Sequence, residues 1–377
     1  MLWWSVAGLA IAKTIRLLFD LRFAQRLPRL ENSTPNPAHP KVSVGLPARN
    51  EEACIETSVR KLLAQENVDL EIIAVNDRSS DQTAEILNRL AQEDARLVVI
   101  HVEELPLGWL GKWHACDAGA ALVTGDWILF TDADVWLKPD VIARAILVAD
   151  RDNADHICLT PGVAPGTASG QAWHPAFLLG LVDWFKRVNQ DKPKGYLGMG
   201  ALNLVRTAAY RASGGYKKLR LTVVDDVKLG LLLRRAGKRT RGFIGGDDAE
   251  CHWPAHAFGM IKIMEKNYFA ILDYRVSVAV GLAIALCLFW LAGLFGPFTG
   301  SLDGTAAGVG LVSFAIPSAL IARKIRWSVG PALLVPLIIP LGAVAVLNSA
   351  IVTLRQGGVI WRESFYPLDL LRRWNVR

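Results

Sequence analysis

Short apolar runs alternate with amphipathic segments between Val42 and Thr131. The runs that predict buried strands are Val42 to Leu46, Leu70 to Val75, Leu97 to Val102 and Trp127 to Thr131. The segments with a helical period are Glu52 to Gln65, Asp81 to Asp94 and Trp113 to Val123. Alternation of this kind predicts an α/β domain with a mostly parallel sheet and helices on both faces.

Three long runs near the C-terminus contain no charged side chain: Val276 to Leu302, Gly304 to Ala322, and Trp327 to Leu354. Each is long enough to cross a bilayer core, which takes about 20 apolar residues. Buried helices of a soluble protein would have to occur three times in succession, so we interpret these runs as membrane helices.

The apolar run at the N-terminus, Leu2 to Ala12, is shorter and is followed by Lys13, Arg16 and Asp20. It is consistent with a helix that spans the bilayer or lies at its surface. A signal peptide carries its positive residues before the apolar stretch, whereas here they follow it. We therefore predict an uncleaved anchor.

These patterns divide the chain into six predicted regions. They are a membrane anchor (1–27), a Pro- and Asn-rich linker (28–40), the α/β domain (41–255), an amphipathic interface helix (256–275), transmembrane helices (276–354) and a basic tail (355–377).

The arginines that follow the last apolar run raise a question of topology. Positive-inside counting places residues 323–326 in the cytosol, together with the α/β domain. A single crossing by the last run would then put the basic tail on the opposite side. We favour the alternative, in which Pro331, Pro336 and Pro340 break the run into a re-entrant or angled pair.

Composition and charge indicate whether the protein interacts with lipid or with nucleic acid. The mean hydropathy is +0.27 and the net charge is +7. The positive residues cluster beside apolar runs, which suits anionic lipid headgroups better than nucleic acid. The five cysteines lack metal-ligand spacing, so no zinc site is predicted, and their odd, dispersed placement fits a reducing cytosol.

Two carboxylates follow the fourth predicted strand, at Asp132 and Asp134. Ligands of α/β sheets bind beyond the carboxyl ends of the strands, and alternate residues of extended chain point the same way. Two carboxylates in a partly dry cleft favour a bound Mg²⁺ or Mn²⁺ that also bridges to a diphosphate. An isolated Asp-x-Asp is also common in solvated turns, so its neighbours decide its meaning.

Polar residues follow the other strands as well. Asp77 ends the second strand just before a helix, where it can accept hydrogen bonds from a nucleobase or ribose. Arg49 and Glu51 follow the first strand, at a helix N-terminus that offers free N–H groups to an anion or base. Lys112 begins a helix after two glycines and suits a diphosphate, the alternative being a solvated lysine beside a core tryptophan.

A third acidic pair, Asp225 and Asp226, opens a later helix. We expect one of the two to cap that helix and the other to be a candidate general base, whose pKa would be adjusted toward the working pH. The spacing does not distinguish between them.

In this order, the segments around Ala48, Asp77, Lys112, Asp132 and Asp226 resemble the family 2 inverting glycosyltransferases, over residues 41 to about 250. The Gly108-Trp109-x-Gly111-Lys112 segment and the trailing membrane helices are similar to the membrane-anchored branch that glycosylates lipids or isoprenoids, including hopanoid- and carotenoid-associated enzymes.

The resemblance implies a GT-A fold, a nucleotide-diphosphate sugar donor, with a UDP-sugar favoured, and direct displacement with inversion. It implies a donor-nucleotide loop of Ala48, Arg49 and Glu51, further donor contacts by Asp77, Lys112 and Asp132, a Mg²⁺ or Mn²⁺ site of Asp132 and Asp134, a base, Asp226, and an acceptor-pocket residue, Gly200.

One departure from the family concerns processive synthases, which carry Gln-x-x-Arg-Trp after the catalytic aspartate. Here Met260 to Tyr274 occupies that interval, and Trp361-Arg362 near the C-terminus does not reproduce the motif. Transfer of a single sugar to a membrane lipid or isoprenoid is therefore favoured over polysaccharide synthesis. A transport subunit with an inactive nucleotide-sensing domain is disfavoured because the acidic residues are intact. The expected location is the plasma (inner) membrane, with the catalytic domain in the cytosol.

Overall fold

The computed structural model describes residues 2–29, 39–163, 166–252 and 256–376. Most of the predicted linker at 28–40 lies outside these residues.

Twelve strands and sixteen helices are defined in the described residues. The strands are β1 (Lys41–Ala48), β2 (Asp69–Asp77), β3 (Leu97–Val102), β4 (Trp127–Phe130), β5 (Val135–Leu137), β6 (His156–Thr160), β7 (Gly162–Val163), β8 (Leu202–Arg206), β9 (Thr240–Ile244), β10 (Ala249–Cys251), β11 (Gly358–Trp361) and β12 (Ser364–Pro367). The helices of the α/β domain are α2 (Ile55–Leu63), α3 (Thr83–Glu93), α4 (Gly111–Ala121), α5 (Val141–Arg151), α6 (Ala168–Asn189), α7 (Thr207–Ser213) and α8 (Asp225–Arg235). The remaining helices are α1 (Leu2–Asp20), α9 (Ala257–Met264), α10 (Tyr268–Ile271), α11 (Val276–Phe295), α12 (Leu302–Ser313), α13 (Ala315–Lys324), α14 (Val329–Ala332), α15 (Val335–Gln356) and α16 (Leu368–Trp374).

The central sheet has the strand order β3-β2-β1-β4-β8-β6-β9. Its neighbouring strands are parallel except on either side of β8, which is antiparallel to both β4 and β6. Side chains that alternate along the strands enter two separate cores, so helices cover both faces. The prediction of a mostly parallel sheet with helices on both faces is confirmed.

The parallel strands bring the polar loops to one edge. Ala48 at the end of β1 lies opposite Asn76 of β2, and the short β4 ends two residues before Asp132. A second sheet, β5-β10-β7, continues beyond β4 and pairs Val135 with Cys251. Asp134 therefore lies where one sheet ends and the other begins.

Within the described residues, three helical stretches are long and apolar enough to cross a bilayer: Val276–Thr299, Leu302–Lys324 and Val335–Gln356. The first two form a tightly packed antiparallel pair, since a Cβ on Gly293 would overlap Leu311. The N-terminal α1 lies beside α12, where the hydroxyls of Thr14 and Ser313 are 2.7 Å apart.

The segment predicted as one amphipathic helix at 256–275 contains two short helices, α9 and α10. The break between them is held by α15: the Phe269 N–H donates to Ser349 Oγ at 2.9 Å, and the Asn348 side chain donates to Glu265 at 3.0 Å. Packing against α15 therefore interrupts the predicted helix.

Helix α15 also differs in detail from the prediction that Pro331, Pro336 and Pro340 break the last apolar run. The apolar run is divided between α14 and α15, but α15 continues through Pro340. Part of its length contacts the α/β domain, where Ala345 shares a core with Trp173 of α6 and Met260 of α9.

The basic tail packs on the α/β domain and on the end of the 256–275 segment. The Arg372 guanidinium donates to the Tyr274 carbonyl at 3.2 Å, and the Asn375 amide donates to Asp273 at 2.8 Å. The Arg220 guanidinium lies 4.4 Å from the centre of the Trp374 ring. The chain thus returns to the α/β domain after α15.

Candidate active site

A cavity of about 800 Å³ lies at the carboxyl ends of β1, β2 and β4. It is lined by every site residue that the sequence predicts, namely Ala48, Arg49, Glu51, Asp77, Lys112, Asp132, Asp134, Gly200 and Asp226. Segments separated by up to 178 positions, from Ala48 to Asp226, therefore meet in one place.

Asp77 forms the floor of the cavity next to α4. Its side chain is buried, and its two oxygens accept from the Arg78 guanidinium at 2.8 and 3.1 Å. Gly111 begins α4 directly against this carboxylate, because a Cβ at Gly111 would overlap Asp77 Oδ2. Arg49 Nη1 is 4.0 Å from the same oxygen. A glycine is required here for the helix to approach the carboxylate.

Asp132 is held between a cation and a backbone turn. Lys112 forms an ion pair with Asp132 Oδ1. On the other side, the Asp132 N–H donates to the Gly200 carbonyl at 3.1 Å, and a Cβ on Gly200 would lie 2.6 Å from Asp132 Oδ2. The position of this carboxylate depends on the absence of a side chain at Gly200.

Asp226 lies in the first turn of α8 and faces the same turn. The Gly200 N–H donates to Asp226 Oδ2 at 2.9 Å, and the Val227 N–H donates to Oδ1 at 2.8 Å. Burial raises the pKa of Asp226, while the positive charge of Lys112 opposes the rise. The N-cap position is Val224, so the prediction that an aspartate occupies the cap is wrong.

Asp134 is the second carboxylate at the end of β4. Burial raises its pKa, the charge of Asp132 raises it further, and Lys112 and Arg362 oppose the change. Among the residues that the structure describes, no group of three or more His, Cys, Asp or Glu side chains is arranged to hold a metal. Mg²⁺ and Mn²⁺ are commonly held by one or two carboxylates together with substrate phosphates and water. The pair fits a cation bound jointly with a diphosphate.

The loop after β1, which the sequence predicts to bind the donor nucleotide, is in contact with the C-terminal hairpin β11–β12. Arg362 donates to Glu51 Oε1, and Arg49 Nη1 donates to Ser364 Oγ at 3.4 Å. Burial raises the pKa of Glu51, and the positive charge of Arg362 only partly offsets this rise. Sequence reasoning assigned no site role to this hairpin, since no local signal links the two ends of the chain.

The cavity also has an apolar lining, contributed by α6, α8, the α9–α10 segment and residues next to Gly200 and Asp226. Its lining includes Phe177, Leu181, Met199, Val223, Val224, Val227, Ile263, Met264, Tyr268 and Ile271. The sequence prediction named only Gly200 for an acceptor pocket. Four of these residues, Ile263, Met264, Tyr268 and Ile271, lie in the segment predicted as an amphipathic helix, which the sequence did not link to the site.

The chain matches the family model described as Glycosyl transferase family 2 over residues 43–214. This domain belongs to the family 2 glycosyltransferases. The match runs from within β1 to the end of α7 and therefore includes the loop after β1, Asp77, Lys112, Asp132, Asp134 and Gly200.

Two similar proteins are both named 4,4'-diaponeurosporenoate glycosyltransferase. The one from Staphylococcus haemolyticus is 24% identical over 278 residues, covering 69% of this chain and 68% of the relative. The one from Staphylococcus aureus strain N315 is 31% identical over 144 residues, covering 38% of this chain and 37% of the relative. The second match thus spans little more than a third of that protein.

Among solved structures, the mannosyltransferase PcManGT from Pyrobaculum calidifontis, in complex with GDP-Man and Mn²⁺, is similar over 93% of this chain and 99% of its own. The TM-score is 0.55 and the sequence identity is 18%. This likeness shows the fold. The glycosyltransferase domain has the predicted GT-A architecture, accompanied by candidate membrane helices.

Proposed function

We propose that this glycosyltransferase transfers a single sugar from a nucleotide-diphosphate sugar to a membrane lipid or isoprenoid, with inversion at the anomeric carbon. The observation that carries the proposal is the composition of the cavity. Most of its carboxylates lie at the strand ends, its apolar lining comes from α6, α8 and the α9–α10 segment, and Asp226 is flanked by Val224 and Val227 of that apolar lining. The names of the similar staphylococcal proteins support an isoprenoid acceptor.

The polar part suits the donor. Asp77 and the backbone around Arg49 offer acceptors and donors to a nucleoside, with a UDP-sugar as the favoured donor class. Asp132 and Asp134 would hold Mg²⁺ or Mn²⁺, which neutralises charge on the leaving diphosphate. Lys112 would also stabilise the negative charge of the leaving diphosphate, because its ammonium lies against Asp132, at the expected diphosphate site. Preorganised cations of this kind stabilise charge that develops during reaction.

Asp226 has the position of the base. Its carboxylate is fixed by two backbone N–H groups, so it is oriented before an acceptor binds. A burial-raised pKa strengthens the carboxylate as a proton acceptor for an acceptor hydroxyl. A hydroxyl activated by Asp226 displaces the nucleoside diphosphate directly, which inverts the anomeric carbon.

The enzyme lies at the cytosolic face of the plasma (inner) membrane in this proposal. Lys324 donates to the carbonyls of Leu21 and Ala24 at 2.9 and 3.1 Å, so the end of α13 is tied to the segment that leads into the catalytic domain. Helix α15 lies against that domain, and Trp374 of the tail packs against Arg220 of the domain. An angled α15 that remains on the cytosolic side allows both the end of α13 and the tail to contact the catalytic domain. It also keeps the arginines of the tail in the cytosol.

The test is transfer by the full chain in detergent micelles with labelled UDP- and GDP-sugars, Mn²⁺ and a polyisoprenoid extract. We expect a lipid product that carries one sugar and disappears with EDTA. A product with a ladder of sugars would instead favour a processive synthase. Absence of transfer from every donor, by a protein shown to be folded, would contradict the proposal.

A further inference from the structure

The C-terminal hairpin, formed by β11 and β12 at residues 358–367, lies over the polar part of the cavity. The Gly111 N–H donates to the Tyr366 hydroxyl at 3.3 Å, and the Trp361 ring packs edge-on against Trp113 with centroids 5.2 Å apart. Trp361, Arg362 and Tyr366 line the cavity itself. The last element before α16 is thus part of the wall of the donor site.

The tip of this hairpin has an unusual backbone. Trp361 pairs with Ser364, so Arg362 and Glu363 are the two central residues of a tight turn. Both have positive φ, 47° and 68°. Glycine or asparagine is preferred in such turns, because a larger side chain is disfavoured there. The presence of charged side chains at a strained backbone position indicates that these side chains have a functional role.

The contacts of the tip are with the donor loop. Arg362 donates to Glu51 and, at 3.4 Å, to the Asn50 carbonyl. Glu363 lies 3.6 Å from the Arg49 guanidinium. The Arg362 side chain is 47% exposed and lines the cavity together with Glu51 and Asp134. The guanidinium is therefore accessible to a ligand in the cavity.

We propose that the C-terminal hairpin completes the donor site and that Arg362 binds the sugar-bearing phosphate of the nucleotide. A guanidinium presents five N–H donors in a fixed fork that matches phosphate oxygens. It can keep Glu51 as one partner and bind phosphate with the remaining donors. This inference rests on the proposed function, because it assumes a nucleotide-diphosphate donor.

Two aromatic contacts hold the hairpin in place beside the cavity. Trp361 holds the hairpin on Trp113, and Lys266 lies 4.1 Å from the centre of the Trp361 ring. These contacts join the hairpin to α4 and to the α9–α10 segment.

The experiment is titration calorimetry of the full chain in detergent micelles with Mn²⁺. UDP, GDP, UMP and GMP are the probes. The variants are Arg362→Ala, Glu51→Gln, the double variant, and Arg373→Ala as the control, since Arg373 is exposed on the same tail but does not line the cavity.

We expect Arg362→Ala to lower the diphosphate-to-monophosphate affinity ratio about 10-fold, as loss of a charge-assisted bond implies. Arg373→Ala should leave the ratio unchanged. The double variant should remain as weak as Arg362→Ala, because a direct phosphate contact is missing in both.

Two results would overturn the inference alone. One is an unchanged ratio in Arg362→Ala, which would limit the hairpin to a supporting role. The other is recovery in the double variant, which would mean that Arg362 only neutralises Glu51. If the wild-type chain binds no nucleoside diphosphate, the proposed function fails and this inference with it.

Discussion

Gly200→Ala is the most informative single change, since one residue touches two carboxylates. The new Cβ would lie 2.6 Å from Asp132 Oδ2 and 3.4 Å from its Cγ. The backbone of Gly200 cannot easily withdraw, because its carbonyl accepts from Asp132 and its N–H donates to Asp226. The Asp132 carboxylate must therefore move by several tenths of an ångström, or the turn must move and carry Asp226 with it.

A displacement of this size at the reacting groups predicts a loss of up to about 10²-fold in kcat, which is the cost of a misplacement of about 1 Å in comparable cases. The assay is sugar transfer as a function of Mn²⁺ concentration. We also expect the half-saturating concentration of Mn²⁺ to rise, because Asp132 leaves its position beside Asp134.

The matched control is Gly180→Ala in α6, where a Cβ would meet nothing within 4 Å. It should keep the wild-type rate and Mn²⁺ dependence. If Gly200→Ala also behaves as wild type in both respects, the coupling of Asp132 and Asp226 through this turn is refuted.

Three further predictions concern the same cavity. Asp226→Asn should lower kcat by about 10²- to 10⁴-fold, the range of a general base, while the KM for the donor stays near the wild-type value in steady-state assays. A wild-type rate in this variant would remove Asp226 as the base. Because burial raises the pKa of Asp226 and its deprotonated form accepts the proton, a plot of kcat against pH should rise through a value above that of an ordinary aspartate. A plot already flat at pH 4 would contradict this assignment. Gly111→Ala should raise the KM for the donor more than it lowers kcat, since the added Cβ would overlap Asp77. An equal effect on both parameters would argue against a nucleoside contact at Asp77.

The catalytic domain could be predicted because its pattern is local. Each of the four predicted strands coincides with an observed strand to within a few residues. β1, β2 and β4 are buried, and buried parallel strands are apolar along most of their length, whereas β3 lies at the sheet edge and is partly exposed. The acidic residues at strand ends were found for the same reason: topology alone brings the carboxyl ends of parallel strands together.

The contacts between distant segments were beyond sequence reasoning. Arg362 and Glu51 are 311 positions apart, and no pattern near either residue indicates the other. The break between α9 and α10 was missed for a related reason, because it depends on Ser349 and Asn348 of α15. The role of Gly111 likewise depends on a carboxylate brought beside it by the fold.

The most direct test of the central claim is mass spectrometry of membrane lipids from cells that express the wild-type chain or Asp226→Asn at equal levels. The proposed function predicts a lipid heavier by one hexose in the wild-type membranes and its loss in the variant. No hexose-shifted lipid, or one equally abundant with both proteins, would contradict transfer of a single sugar to a membrane acceptor by this site.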